Sequence, residues 1–215
     1  MSGTRITLPL ARIPLLILLA IWLLPGLIGH DPWKSDDAIG IGIAHQFANH
    51  GDWLVPRLAG EYYPDDGPLF YWIAAAFAKL LGWLIAQHDA ARLGAGACIV
   101  LTLLFLRLAG RAFYGSDSRD NAGNTDNKNG RGESAMLLFV GCIGLLLHAH
   151  ETISDTALLA GLACAYYGAA LAPRRPYAAG VALGCGLGAA FLATGFAPIV
   201  PFLVALLATP LLVPD

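Results

Sequence analysis

Charge is scarce in this sequence. Asp, Glu, Lys and Arg make up 13% of its 215 residues and apolar types 57%, whereas soluble domains carry about a quarter charged residues. The net charge is -2, and no stretch gathers Lys and Arg into a stripe. This argues against nucleic acid as a partner, because phosphate contacts need clustered basic side chains. Water is therefore not the main solvent of this chain.

Cysteine is also rare, and its placement argues against a metal centre or a disulfide framework. The sequence has four cysteines. Each lies inside an apolar run, where a thiol packs as a small hydrophobic group, and their spacing is not that of metal ligands. We expect neither a disulfide nor zinc at Cys98, Cys142, Cys164 and Cys185.

Long apolar runs are what the sequence has instead. A hydrocarbon core about 30 Å thick needs about 20 mostly apolar residues per helix. The first run follows Arg5 and Arg12, as in a secretory signal, but no small-x-small cleavage site comes after it, so we interpret it as an uncleaved helix. The predicted spans are residues 14–29, 92–111, 135–148, 156–171, 178–194 and 197–213.

One further segment, residues 68–86, is apolar enough to cross the membrane but carries Lys79 near its middle and aromatic residues near its ends, as interfacial segments do. Lys and Arg in short loops stay in the cytoplasm. If the segment crosses, the basic residues of 107–131 must lie outside; if it lies along the outer surface, they lie inside. The charge bias favours the second arrangement, which puts the acidic residues around Asp37 and around Asp155 on the same outer face.

These patterns predict an all-α protein, a polytopic transmembrane helical bundle with a cytoplasmic N-terminus. Residues 1–215 form a single membrane domain, and residues 30–90 form an outer loop with amphipathic juxtamembrane helices. Residues 115–134 are rich in Asn, Gly, Asp and Ser without apolar periodicity. That composition predicts a flexible cytoplasmic loop.

The outer loop contains an acidic pair at a predicted helix start. Ser35 can cap a helix that begins at Asp36, and the carboxylates of Asp36 and Asp37 favour its positive N-terminus. Capping alone would explain the pair. A catalytic role is the other interpretation, and a second polar group near Asp155 favours it.

That second polar group lies at the junction of two predicted spans. Ionisable residues are costly there unless they serve a pathway or a site. Alternatives stay open, since histidines can be interfacial residues and Asp155 can cap a helix after Ser154. The group consists of His148, His150, Glu151 and Asp155.

The order of motifs in the outer loop resembles that of a family of membrane enzymes. An acidic pair is followed by an amphipathic helix, G-D-W-L-V-P, R-L-A-G-E and P-L-F-Y-W. This order is similar to the first periplasmic loop of the GT-C lipid-linked sugar transferases that include aminoarabinose transferase and protein O-mannosyltransferase, with D-E-x-R-Y, G-D-W-V-V-P and G-E-x-Y-x-E-K-P-P-L-F-Y-W. Arg92-Leu93 resembles the R-L-P-S start of that family's next helix, and Ser154-Asp155 its later acidic site. The likeness covers nearly the whole chain, as an N-terminal portion of such an enzyme.

The resemblance implies an enzyme of a bacterial inner membrane, a glycosyltransferase that moves a sugar from a polyprenyl-phosphate donor to a lipid or protein acceptor on the periplasmic face. It also implies that residues 30–90 form the outer catalytic loop. The acceptor hydroxyl must lose its proton as it attacks, so the expected base is a carboxylate, Asp37, with Asp36 as its partner and Asp155 to orient the acceptor. The leaving phosphate needs positive charge or metal. A divalent cation at Asp37 and Asp155 is expected, magnesium or manganese in preference to zinc. The substrate-binding residues implied are Arg57, Glu61, Tyr63, Asp66, Arg92, His150 and Glu151.

Departures from the family pattern leave other functions open. Where the family has E-K-P-P, this chain has D-D-G-P, so Asp66 replaces the lysine thought to meet the donor phosphate, and T-K-G-P becomes A-T-G-F at residues 193–196. Arg57 and Arg92 can equally be interfacial anchors. The alternative is a non-catalytic or incomplete membrane module that binds lipid-linked sugar. A transporter would need ionisable residues at mid-membrane, and the sequence has no convincing ones.

Overall fold

The computed structural model describes residues 12–32, 34–50, 53–114, 125–142, 144 and 148–212. Within them the chain is mainly helical, as predicted, with eight α-helices and one two-stranded hairpin. The elements in chain order are α1 (Arg12–Leu23), α2 (Ser35–His50), β1 (Arg57–Leu58), β2 (Glu61–Tyr62), α3 (Leu69–Leu81), α4 (Gln87–Tyr114), α5 (Thr125–Val140), α6 (Asp155–Leu171), α7 (Pro176–Thr194) and α8 (Ile199–Leu212).

Two described helices are long and apolar enough, by length and composition, to cross a membrane. They cover Gln87–Phe113 in α4 and Pro176–Thr194, which is α7. The predicted spans 92–111 and 178–194 fall in these helices, whereas 135–148 lies partly outside the described residues. The shorter apolar helices are Pro14–Gly26, Leu69–Leu81, Asp155–Leu171 and Ile199–Ala208.

The first loop folds as two helices packed on the start of α4. α2 buries a stripe of small and aromatic residues at helical spacing, including Gly40, Ala44 and Phe47. α3 buries Phe70 and Ala74 in the same core. Its 13 residues span about 20 Å, less than the thickness of about 30 Å of a hydrocarbon core. α3 is therefore too short to cross a bilayer upright.

A hairpin with a two-residue turn connects α2 to α3. Arg57 pairs with Tyr62 and Leu58 with Glu61, so Ala59 and Gly60 form the turn. Both have positive φ, 51° and 91°, as a type I′ turn requires. Glycine makes this conformation favourable at the second turn position.

α6 and α7 pack through small residues. A Cβ added at Gly186 would lie 2.5 Å from the Ala165 amide nitrogen, and one at Gly161 would lie 2.7 Å from the Ala190 nitrogen. The two backbones therefore touch along this seam. Such close approach gives dispersion contacts and is typical of helix pairs in membranes.

The polar segment before residue 135 differs from its predicted loop. Residues 115–124 lie outside the described residues, but α5 already begins at Thr125. Two contacts hold its described part against α4: the Gly132 backbone lies against Arg107, and Glu133 forms an ion pair with Arg107 at 3.6 Å. Tertiary packing thus supports a helix that the composition alone disfavours.

Candidate functional site

A buried arginine joins two carboxylates at the base of the first loop. Arg92, on α4, is fully buried; its Nη2 donates to Asp37 Oδ2 at 2.7 Å, and its Nη1 is 3.3 Å from Asp89 Oδ1. Nη1 also donates to the His30 carbonyl oxygen at 2.5 Å. Arg92 therefore ties together α2, α4 and the chain that follows α1.

Asp37 uses both of its oxygens in this network. Its Oδ1 accepts a hydrogen bond from the Thr152 amide at 2.9 Å, and 1% of its surface is exposed. Burial alone would raise the pKa of Asp37, but the hydrogen bonds from Arg92 and Thr152, with the Arg92 charge, hold the pKa below its ordinary value. Asp37 is thus an ionised carboxylate that faces the protein interior.

Asp37 lies on the buried face of α2, as its spacing from the small and apolar residues of that face predicts. Gly40, Ala44 and Phe47 follow it at i+3, i+7 and i+10, the period of one helix face. A Cβ at Gly40 would lie 1.7 Å from the Thr152 carbonyl oxygen, so α2 packs directly on that backbone. The neighbouring Asp36 points elsewhere and is exposed. This period is the signal that could have separated the two aspartates.

Three further carboxylates, those of Asp36, Asp66 and Asp155, are not part of the buried network around Arg92. Asp66 accepts hydrogen bonds from the Ser154 hydroxyl at 2.6 Å and from the Tyr71 hydroxyl at 2.8 Å. These bonds join the end of the hairpin loop to the chain before α6. Asp36 and Asp155 are both exposed.

Electrostatic effects place these carboxylates in one region. Burial, and then the charges of Asp66, Asp65 and Asp36, raise the pKa of Tyr63. Desolvation and the Asp66 charge raise the pKa of Asp155, against the opposing effect of His148. We call Asp36, Asp66 and Asp155 the acidic group. The structure therefore brings together side chains from three separate parts of the chain.

Glu151 forms a second link beside the acidic group. Its Oε1 pairs with the Lys34 ammonium and its Oε2 lies 3.0 Å from His148 Nδ1. Glu151 is 3% exposed, whereas the His148 side chain is 59% exposed. Lys34 comes just before α2, so this contact fastens the start of that helix to the chain before α6.

The remaining predicted site residues lie elsewhere. The His150 ring packs at a tilt against Trp22, with ring centroids 5.5 Å apart, and its Nε2 is 3.1 Å from the Trp22 carbonyl oxygen, which is a packing position at the end of α1. Arg57 and Glu61 lie on the hairpin, where Arg57 Nη1 donates to the Gly60 carbonyl oxygen at 3.3 Å.

The divalent cation predicted at Asp37 and Asp155 finds no ready ligand set. Among the described side chains, no three or more His, Cys, Asp and Glu are arranged to hold a metal ion. Asp37 faces Arg92 and Asp155 faces the Asp66 charge. The chemistry of the acidic group suits a hard cation, but the cation stays a prediction.

The Asp65-Asp66-Gly67-Pro68 segment packs on the end of α7. The Gly67 amide donates to the Ala193 carbonyl oxygen at 2.8 Å, and a Cβ at Gly67 would lie 2.0 Å from the Leu192 oxygen. A cavity of about 270 Å³ opens there, with Asp65 and Asp66 in its wall. Glycine is needed at residue 67 because any Cβ would clash with the Leu192 oxygen. Proline, present in the related motif, would also have no N–H to donate.

Several residues of the site were not identified from the sequence. Asp89 is one of them: it lies three residues before Arg92, a predicted substrate-binding residue, and this spacing indicates contact on a helix. Lys34 lies two residues before Asp36, and Ser154, named from the sequence only as part of the Ser154-Asp155 motif, precedes Asp155. Thr152 acts through its backbone amide, which no side-chain pattern could identify.

No protein-family model and no curated protein matches this sequence. The fold is similar to that of a solved structure, ArnT from Cupriavidus metallidurans in the apo state, with a TM-score of 0.74 and 19% identity. The alignment covers 95% of this chain and 36% of the ArnT chain, so this chain spans about a third of that protein's length. At this identity the likeness shows the fold, and the fold is GT-C-like.

Proposed function

We propose that this chain is an integral membrane glycosyltransferase of a bacterial inner membrane, which transfers a sugar from a polyprenyl-phosphate donor to a lipid or protein acceptor on the periplasmic face. The observation that carries the proposal is the acidic group, held by a buried Asp37–Arg92 pair in a fold similar to that of ArnT, a membrane glycosyltransferase. The outer-loop motifs support the same function independently.

The proposed topology keeps the N-terminus in the cytoplasm. The spans are α1, α4, the predicted span 135–148 that includes the end of α5, α6, α7 and α8, while α2 and α3 lie at the outer membrane surface. The charge bias supports this arrangement, since a crossing α3 would put the basic residues of 107–131 outside. Membrane lipid and the prenyl chain of the donor would then contact the apolar helix faces.

The proposed general base is Asp36. The family motif suggested Asp37 instead. A base must reach the acceptor hydroxyl within hydrogen-bond distance. Asp37 has both oxygens occupied and a lowered pKa, whereas Asp36 is exposed on the same rigid first turn. Asp155 is the second carboxylate and orients the acceptor.

Recognition of the donor phosphate requires a cation that the motif lacks. Asp66 occupies the family's lysine position and holds Ser154 and Tyr71. Lys34 is the described outer cation beside the acidic group, and with a divalent ion it would supply the charge that a leaving phosphate needs. Asp66 is also the observation that favours the second candidate function, a module that binds lipid-linked sugar without turnover.

The test is sugar transfer by the full chain in membranes, with a panel of polyprenyl-phosphate sugars as donors. Asp36→Asn should lower the rate by about 10²-fold or more, the usual contribution of a general base. Asp31→Asn is the matched control, an exposed carboxylate of the same loop, and should keep the wild-type rate. Equal rates for both variants would refute the role of Asp36. Donor binding with no transfer by the wild type would favour the non-catalytic module.

A further inference from the structure

An apolar groove runs between α1, α4 and α5, away from the acidic group. Its volume is about 400 Å³. Leucines of α1 and α4, with Val100 and Met136, form its walls, and Arg107 is the charged residue among those that line it. Leu16, Leu24 and Val100 are 63%, 57% and 53% exposed, so the groove is open to the surroundings.

Arg107 lies at one end of this groove. A Cβ at Gly96 would lie 2.6 Å from Leu27. The groove is lined by α1 residues that precede Leu27 and by α4 residues that follow Gly96. The two helices therefore run in opposite directions, with Leu16 and Arg107 toward the same end. At 1.5 Å per residue, Val100 and Arg107 are about 10 Å apart along α4. The groove is thus apolar along its length and cationic at the end.

The Arg107 guanidinium is only partly engaged by the residues that the structure describes. Its Nη2 is 3.6 Å from Glu133 Oε1, and the side chains are 29% and 22% exposed. Its Nε has no hydrogen-bond acceptor in the described part of the chain. A guanidinium has five N–H donors. The guanidinium can therefore donate to an added acceptor.

Other cations lie near Arg107. A Cβ at Gly132 would lie 2.9 Å from Arg111 Cγ and 3.0 Å from Arg107 Cγ, so both arginines lie against α5. The Arg174 guanidinium donates to the Ala112 carbonyl oxygen at 2.8 Å, at the same end of α4. Among the side chains that the structure describes here, three arginines and one carboxylate, Glu133, give a positive balance.

We propose that the groove binds one acyl chain of an anionic phospholipid of the cytoplasmic leaflet, with Arg107 at its phosphate. The inference rests on the proposed topology, which puts this end of α4 in the cytoplasm. Charge complementarity selects the lipid: Arg107 beside the headgroup attracts the net charge of an anionic lipid, whereas a zwitterionic headgroup brings a cation that Arg107, with Arg111 and Arg174 behind it, repels. Glu133 competes for Arg107 when no lipid is bound.

The experiment measures binding of phosphatidylglycerol and phosphatidylcholine with identical acyl chains to the purified full chain, by native mass spectrometry. Phosphatidylglycerol should bind about fivefold more tightly, the effect of one basic residue near an anionic lipid. Arg107→Gln should abolish the preference. Arg175→Gln is the matched control, an exposed arginine that does not line the groove, and should keep it.

Two further variants hold the test if Arg107→Gln fails to fold. Glu133→Gln should increase the preference, because it removes the competing carboxylate. Val100→Trp should weaken both lipids alike by filling the groove. Three results would each overturn the inference. They are equal binding of the two lipids to the wild type, a preference that survives Arg107→Gln, and inorganic phosphate that competes for the site as well as phosphatidylglycerol does. None of these readouts depends on sugar transfer, so loss of the proposed function and loss of the lipid site are distinguishable.

Discussion

Removal of the Arg92 side chain is expected to cost far more stability than removal of any exposed arginine. Arg92→Gln leaves two carboxylates, Asp37 and Asp89, 1% and 6% exposed and without their cation. Removing one partner of a buried ion pair costs about 3–5 kcal/mol. The ratio of folded to unfolded protein should fall by a factor of about 10² to 5 × 10³.

The assay is chemical unfolding of the purified full chain in detergent, followed by the fluorescence of its five tryptophans. The matched control is Arg175→Gln, an exposed arginine for which a change within about 0.5 kcal/mol is expected. Combining Arg92→Leu with Asp37→Leu should lose less than the two single changes together, by about 1–3 kcal/mol, because the residues share one network. A loss below about 1 kcal/mol for Arg92→Gln, or strict additivity, would refute the reasoning.

Three other predictions follow from the same contacts. The folded-state pKa of Asp37 lies below its unfolded value of 3.8. Its carboxylate therefore stabilises the fold above that pH, and this stability is lost as the pH falls through the folded-state pKa. Asp37→Asn should accordingly flatten the fall in melting temperature measured from about pH 6 to about pH 3. Since the pKa of Asp155 is raised, its charge opposes folding at neutral pH, and Asp155→Asn should raise the melting temperature at pH 7 while lowering sugar transfer. Gly186→Ala places a Cβ 2.5 Å from the Ala165 nitrogen and should cost about 1–3 kcal/mol of unfolding free energy, whereas Gly184→Ala, which meets nothing within 4 Å, should stabilise α7 by up to about 1 kcal/mol.

The acidic group could be predicted from the sequence because its members lie in recognisable positions. Asp36 is in an acidic pair at a helix start, and Asp155 follows Ser154 at the start of an apolar run. Charge bias then put both segments on one face. The contact of Asp66 with Ser154 depends on how the D-D-G-P segment packs on α7, and that packing follows from tertiary structure.

The different environments of Asp36 and Asp37 were harder to predict. Adjacent residues on a helix point about 100° apart, so one of the pair can face the core while the other faces solvent. The apolar residues of α2 were used to predict a helix, but their register with Asp37 was not followed to the buried Arg92. Thr152, whose backbone amide completes the Asp37 contacts, is more than a hundred residues away in the chain.

The segment at residues 125–134 shows the limit of composition. Its Asn, Gly and Asp residues disfavour a helix when it is considered alone. The ion pair of Glu133 with Arg107 and the close contact of Gly132 with α4 depend on another helix. Local propensity therefore predicted a loop where tertiary contacts support the first part of α5.

The central claim is that Asp36 and Asp155 share one outer face, opposite the polar segment between α4 and α5. It is tested by cysteine accessibility in intact cells, with the four native cysteines removed and single cysteines at residues 36, 124 and 155. Labelling by a membrane-impermeant reagent is expected at residues 36 and 155, with residue 124 labelled only after the membrane is opened. Labelling of residues 36 and 124 without 155 would mean that α3 crosses the membrane, which would separate the carboxylates and contradict the proposed site.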